Sequence, residues 1–207
     1  MTIHRGTIID TALVLVDESG LDALSMRRLA DALKIQAPSL YWHFPNKLSL
    51  LEGMADLLMA DVAGHTPPDE AWSETLRRVG AEIRQGLLSR RDGARIFAGT
   101  FVATENILRV GEVMISALRG AGASAEVAVW GAFSVVYYVL GFAMEEQALS
   151  GENAPNAANR QAMFLALARE KFPQTFAVAD AVFDEDLDAR FALGLDAMVA
   201  GLAGRLG

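Results

Sequence analysis

Apolar residues recur along almost the whole chain at steps of three and four, the period of an α-helix. Ile8, Ile9, Ala12, Leu13 and Val16 form such a stripe from Arg5 to Glu18. Ser19-Gly20 closes it, with a glycine suited to a left-handed C-terminal turn. Ser25 is placed to cap a helix over Met26 to Leu33, and Pro38 fits the first turn of a short helix over Ala37 to His43. Phe44-Pro45-Asn46 ends that helix, and a longer one follows over Lys47 to Val62. The clearest break is Gly64-His65-Thr66-Pro67-Pro68-Asp69, which divides the chain into an N-terminal module, 1–63, and a second domain, 64–207. In the second domain the pattern predicts helices near 71–89, 91–98, 104–119, 124–149, 157–170 and 186–205. Gly-, Asn-, Pro- and Asp-bearing loops are expected near 120–123, 150–156 and 172–185. No segment reads as a strand, so the expectation is an all-α fold of about nine to ten helices.

Charge changes this picture in one place. The 207 residues are 52% hydrophobic and 21% charged, with a net charge of −8, which a nucleic-acid binder does not ordinarily show. The acidity is unevenly spread. Residues 1–50 hold five basic groups (Arg5, Arg27, Arg28, Lys34, Lys47) and five acidic ones, leaving 13 basic and 21 acidic groups beyond. No acid stands between Asp31 and Glu52, a local arrangement that suits a phosphate backbone. The chain has no cysteine, which excludes disulfides and thiolate metal sites. Met1 to Arg5 lacks the features of a signal peptide, so cytoplasmic residence is expected. Val127 to Met144 runs without a charge, but its acidic flanks Glu126, Glu145 and Glu146 argue for a helix buried by protein rather than a membrane span.

The candidate chemistry lies in Leu21 to Leu51. Two short helices joined by a tight turn make a helix-turn-helix. Met26, Leu29, Ala30 and Leu33 form the inner face of the first helix, and Ile35 and Leu40 pack against it. The other face of the second helix carries Gln36, Ala37, Ser39, Tyr41, Trp42 and His43. Adjacent exposed aromatics are costly unless their rings and polar tips have a partner, and a sugar–phosphate backbone supplies one. Packing alone accounts for Phe44 and part of Trp42, which are expected to bury against the first and fourth helices.

These residues, above all the LYWHF run at 40–44 followed by Lys47, resemble the DNA-binding domain of the tetracycline-repressor family. LLSRRDGARIFAGT at 87–100 and GFAMEEQ at 141–147 are similar to that family's regulatory domain. The resemblance implies double-stranded operator DNA as a partner. Arg27, with Ser25 beside it at the start of the first helix, would meet phosphate or a guanine edge. Gln36, Ala37, Pro38 and Ser39 would approach bases in the major groove, where a glutamine side chain can pair with adenine. Tyr41, Trp42, His43 and Lys47 would grip the backbone. Lys34 stands where the family often has glycine, and a left-handed lysine costs about 1 kcal/mol or more.

The resemblance also implies a small-molecule effector site, and here the residues depart from it. The tetracycline repressor holds a drug–magnesium complex through polar groups and a histidine. Phe97 falls at the position of that histidine, and Val79, Ile83 and Val113 at neighbouring drug-contacting positions. Thr100 and Glu145 are retained, and Val129 and His65 fall near the lining. Phenylalanine ligates no metal, so a largely apolar effector is expected instead of tetracycline–magnesium, with no metal and no cofactor. The helices near 124–149 and 186–205 are expected to form a homodimer. In the last helix Leu187, Phe191, Leu195, Met198, Leu202 and Leu206 make one stripe, and Gly194, Ala197, Gly201 and Gly204 a second that admits a close neighbour. Glu145-Glu146 is read as a solvated pair, and no catalytic motif is present, so no catalytic residue is assigned. The rival reading is a small-molecule carrier or helical enzyme whose N-terminal motif is only structural.

Overall fold

A computed structural model of the chain describes residues 3–100, 103–150 and 157–206. Among the described residues there are twelve α-helices and one 3-10 turn, and no strand. The first four helices build the N-terminal module: α1 (Arg5–Ser19), α2 (Met26–Ala32), α3 (Ala37–Tyr41) and α4 (Lys47–Leu58). The local signals act as their chemistry requires. Gly20 takes φ 79° and returns its N–H to the Val16 carbonyl. The Ser25 side chain accepts from the Arg28 N–H and starts α2. Asn46 and Ser49 form a reciprocal capping box on α4. Ile8, Ala12, Leu13, Val16, Leu29, Leu40, Phe44, Leu50 and Met54 meet in a core closed to solvent.

Lys34 keeps the left-handed turn between α2 and α3 at φ 55°. The Ile35 N–H reaches back to the Ala30 carbonyl (3.1 Å), satisfying a terminal carbonyl of α2. Helix α3 is therefore set by a turn that suits glycine and is made by lysine. The helix expected over Lys47 to Val62 stops at Leu58, and tight turns carry the chain to Gly64.

The second domain contains α5 (Trp72–Leu88), α6 (Gly93–Ala98), α7 (Glu105–Gly120), α8 (Ala125–Ser150), α9 (Ala157–Lys171), α10 (Pro173–Ala177), α11 (Ala179–Val182) and α12 (Leu187–Ala203). Helices α5, α7 and α8 pack on one another, α6 lies against α4, α5 and α8, and α12 closes over α5 and α8. The expected loop 172–185 instead holds α10 and α11, begun by Pro173 at a first helical turn; these two short helices bring the total to twelve. Residues 151–156 of the expected loop 150–156 lie outside the described residues.

The long helix has one covered face and one open one. Ala128, Ala132, Val135, Val139 and Ala143 bury one face of α8, whereas Trp130, Phe133, Tyr137 and Met144 are exposed on the other. The chain covers α8 on one side only. In α12, Phe191, Leu195 and Val199 are buried, while Ala197, Gly201 and Gly204 are open. Gly194 leaves the small-residue stripe: a Cβ there would overlap the Tyr138 ring, so the glycine serves packing within the chain. Glu146 is not solvated either. It binds Arg84 through two bonds of 2.8 Å, and the guanidinium also holds Asp188 and lies over the rings of Phe142 and Phe191.

Candidate nucleic-acid interface and effector site

The packed four-helix core leaves one edge of the N-terminal module outward. Ser25, Arg27, Gln36, Pro38 and Ser39 are exposed, and Ala37 and His43 are half-buried. Tyr41 is 48% exposed and Trp42 89% exposed. Trp42 does not share the burial of Phe44, which is closed to solvent and lies under the Arg5 guanidinium at 4.2 Å. One helical turn explains the split: Leu40 and Phe44 occupy the inner face, so Trp42 between them faces out. Lys47 is half-buried, and its ammonium donates to the Leu24 carbonyl at 2.7 Å. It staples α4 to the start of the helix-turn-helix. The geometry thus brings a polar and aromatic edge onto a rigid support, with Ser25 spent on its capping bond and Lys47 on this staple.

The eight residues expected at an effector site separate into two groups. Val79 and Ile83 on α5 are buried, and Phe97 on α6 and Val113 on α7 pack half-buried against the same core. Thr100 follows α6 and donates its hydroxyl to the Phe97 carbonyl at 2.8 Å. Val129 is half-buried on α8, and His65 and Glu145 are exposed. A separate cleft of about 580 Å³ opens between α1, α4 and α5 beside Leu13, Leu57, Val62 and Gly86; none of the eight lines it.

Sequence reasoning missed the polar seams between the two domains. At one seam, Asp17 accepts from the Arg91 N–H (3.0 Å) and pairs with Arg90 (2.8 Å), Asp92 accepts from the Leu21 N–H (2.8 Å), and Arg95 pairs with Asp22 (2.9 Å). The hydrogen bond from Arg95 holds the Asp22 carboxyl below the usual carboxylate range. Behind this segment Gln147 on α8 accepts from the Ala94 N–H and donates to the Leu87 and Arg90 carbonyls. At the other seam, Arg109 on α7 donates to the carbonyls of Met59 (2.9 Å), Ala60 (2.7 Å) and Val62 (3.1 Å) just past α4. Half of these acceptors are backbone carbonyls, which no side-chain pattern reveals. The charged run at 91–95 is plain in the sequence; its partners Asp17 in α1 and Leu21 and Asp22 in the turn after it are not.

Residues 8–54 match the family described as Bacterial regulatory proteins, tetR family, and residues 65–206 match Tetracyclin repressor-like, C-terminal domain. The chain is 37% identical over 205 residues to the tetracycline repressor protein class A from transposon 1721 of Escherichia coli, covering 98% of this chain and 92% of that one. Its fold matches the Streptomyces coelicolor TetR family protein ActR in complex with actinorhodin, with a TM-score of 0.88, 31% identity and full coverage of both chains (100% each). It also matches BioQ with its double-stranded DNA operator, with a TM-score of 0.71, 29% identity, and coverage of 98% and 99%.

Proposed function

The chain belongs to the tetR family of bacterial regulatory proteins, and from that premise we propose that it is a ligand-responsive transcriptional repressor and not an enzyme. It works in the cytoplasm, binds a palindromic operator as a homodimer and is released by a small, largely apolar effector. The observation that carries this reading is the outward edge of α3, where Gln36, Pro38, Ser39, Tyr41 and Trp42 are exposed on a fully packed module. BioQ in complex with its operator shares the fold. Arg27, Gln36, Ala37, Pro38 and Ser39 approach the major groove and Tyr41, Trp42 and His43 hold the backbone, while Ser25 and Lys47 support that edge through their cap and staple. A twofold dimer pairs two such edges with two half-sites. The free faces of α8 and α12 supply its four-helix interface, with Trp130, Phe133 and Tyr137 meeting a second copy rather than a membrane.

The effector sits among α5, α6 and α7 against Val79, Ile83, Phe97, Thr100 and Val113, with His65, Val129 and Glu145 toward its edge. ActR has been captured with actinorhodin and with (S)-DNPA, and a glutamine-to-alanine variant of TetR from Acinetobacter baumannii with minocycline. Phe97 and the valines favour an apolar ligand here over a magnesium-bound one. Residues 91–95 act as a lever, because their bonds reach Asp17, Leu21 and Asp22. Shifting them tilts the N-terminal module, alters the spacing of the two reading helices and lowers operator affinity by linkage.

Fluorescence-anisotropy titration against DNA tiling the gene's own upstream region, at two salt concentrations, tests the reading. Saturable binding to one palindromic segment, weakening with salt and lost in Arg27→Ala/Tyr41→Ala with helicity retained, is the expected result. Equal, sequence-blind binding to every segment and to scrambled DNA would overturn it.

A further inference from the structure

Two contacts fasten the far end of α4 to the second domain, and they differ in kind. Against α5 the contact is steric: a Cβ on Gly86 would stand 2.5 Å from the Leu58 carbonyl oxygen, so the helices touch backbone to backbone there. Such a contact fixes a separation but lets one helix roll on the other. Against α7 the contact is polar and directional. A helix ends with carbonyls that lack intrahelical donors. The single Arg109 guanidinium, half-buried, takes three carbonyls in the tight turns just past the end of α4, those of Met59, Ala60 and Val62. Its remaining nitrogen, Nη1, donates to Asn106 Oδ1 at 2.8 Å, and Asn106 in turn donates to the Asp56 carbonyl at 3.2 Å. A planar cation with five N–H groups, placed at the negative end of a helix dipole, fixes orientation as well as distance.

Arg109 stands one turn from Val113 on the same helix, and Val110 between them and Met114 just beyond are buried in the core. Movement of α7 by an occupant of that core must carry the guanidinium with it. From this geometry we infer that Arg109 is a positioning residue of the switch: it sets the angle of α4, and through α4 the aim of the reading edge, and gives α7 a route to the DNA-binding module separate from residues 91–95. The inference rests on the repressor reading for its consequence at DNA, but its geometric part stands without it.

The chain contains no cysteine. Asp31→Cys on α2 and Ser116→Cys on α7, both exposed positions, therefore accept a pair of spin labels in the full-length protein, diluted with unlabelled chain. Double electron–electron resonance then reads the distance between the two modules. The parent protein should give one narrow distribution. Arg109→Met should broaden or shift it and weaken operator binding by about tenfold, within the range of coupling between distant sites. Arg109→Lys, which keeps the charge and one point of attachment, should lie between. A purely stabilising role would lower the melting temperature and leave the folded-state distribution unchanged. Distributions for the Lys and Met variants that superimpose on the parent would overturn the clamp. If the parent binds no operator while Arg109→Met still broadens the distance, the repressor reading fails and the clamp survives.

Discussion

The two domains are held together by different forces. In the N-terminal module the interior is apolar from Ile8 to Met54, and the polar groups face outward or cap helix ends. In the second domain arginines are spent inward. Arg84 joins α5 to Glu146 of α8 and Asp188 of α12, Arg78 joins Glu70 to Glu82, and Arg109 reaches across to α4. Packing of apolar groups is non-directional and close to all-or-none, which suits a head that must present one fixed surface. Hydrogen-bonded ion pairs are directional and separable, and such contacts let helices exchange one arrangement for another. The contrast assigns rigidity to the reader and adjustability to the sensor.

Four substitutions test this contrast, from the largest expected effect to the smallest. Phe44→Ala removes a wholly buried ring from the head. It should cost about 3–5 kcal/mol and abolish operator binding. Chemical denaturation should then show the N-terminal module melting first. Glu146→Gln leaves Arg84 without its bidentate partner in a site where both side chains are nearly closed to solvent, 12% and 14% exposed. A loss of roughly 2–3 kcal/mol, somewhat under the range for a fully buried pair, is expected in thermal unfolding. Operator affinity at 25 °C should be unchanged if the head is independent of the arginine lattice. Trp42→Ala touches no core. Its melting curve should match the parent within about 0.5 kcal/mol, while operator binding falls by roughly tenfold; a marked drop in melting temperature would return Trp42 to a packing role. Lys34→Gly relieves a left-handed side chain and should stabilise the head by up to about 1 kcal/mol, with operator affinity preserved.

The repeating pattern made the helices of the N-terminal module and of the large bundle legible, because burial in a helical protein imposes a period on the sequence. Where the period breaks, legibility fails. The helices α10 and α11 have five and four residues, too short to show one, and α4 ends at Leu58 because the chain beyond it closes by tight backbone turns, whose carbonyls Arg109 takes. The outward edge at Gln36 to Trp42 could be read because exposed aromatics are conspicuous in a sequence. Arg109, Gln147 and Arg84 could not, since their partners lie on distant helices or are main-chain carbonyls. Trp42 shows the opposite limit: composition says that an aromatic wants cover, and only its place between Leu40 and Phe44 says that this one lacks it.

Trp130, 63% exposed on the free face of α8, has an optical consequence. An indole in water emits at longer wavelength than one enclosed by protein, so association through this face would move part of the emission to the blue. The chain carries only three tryptophans, and Trp72 is half-buried at the start of α5 while Trp42 stands at the reading edge. Dilution would therefore be read out at Trp130 and DNA at Trp42. The protein is its own unlabelled fluorimeter for two separate equilibria.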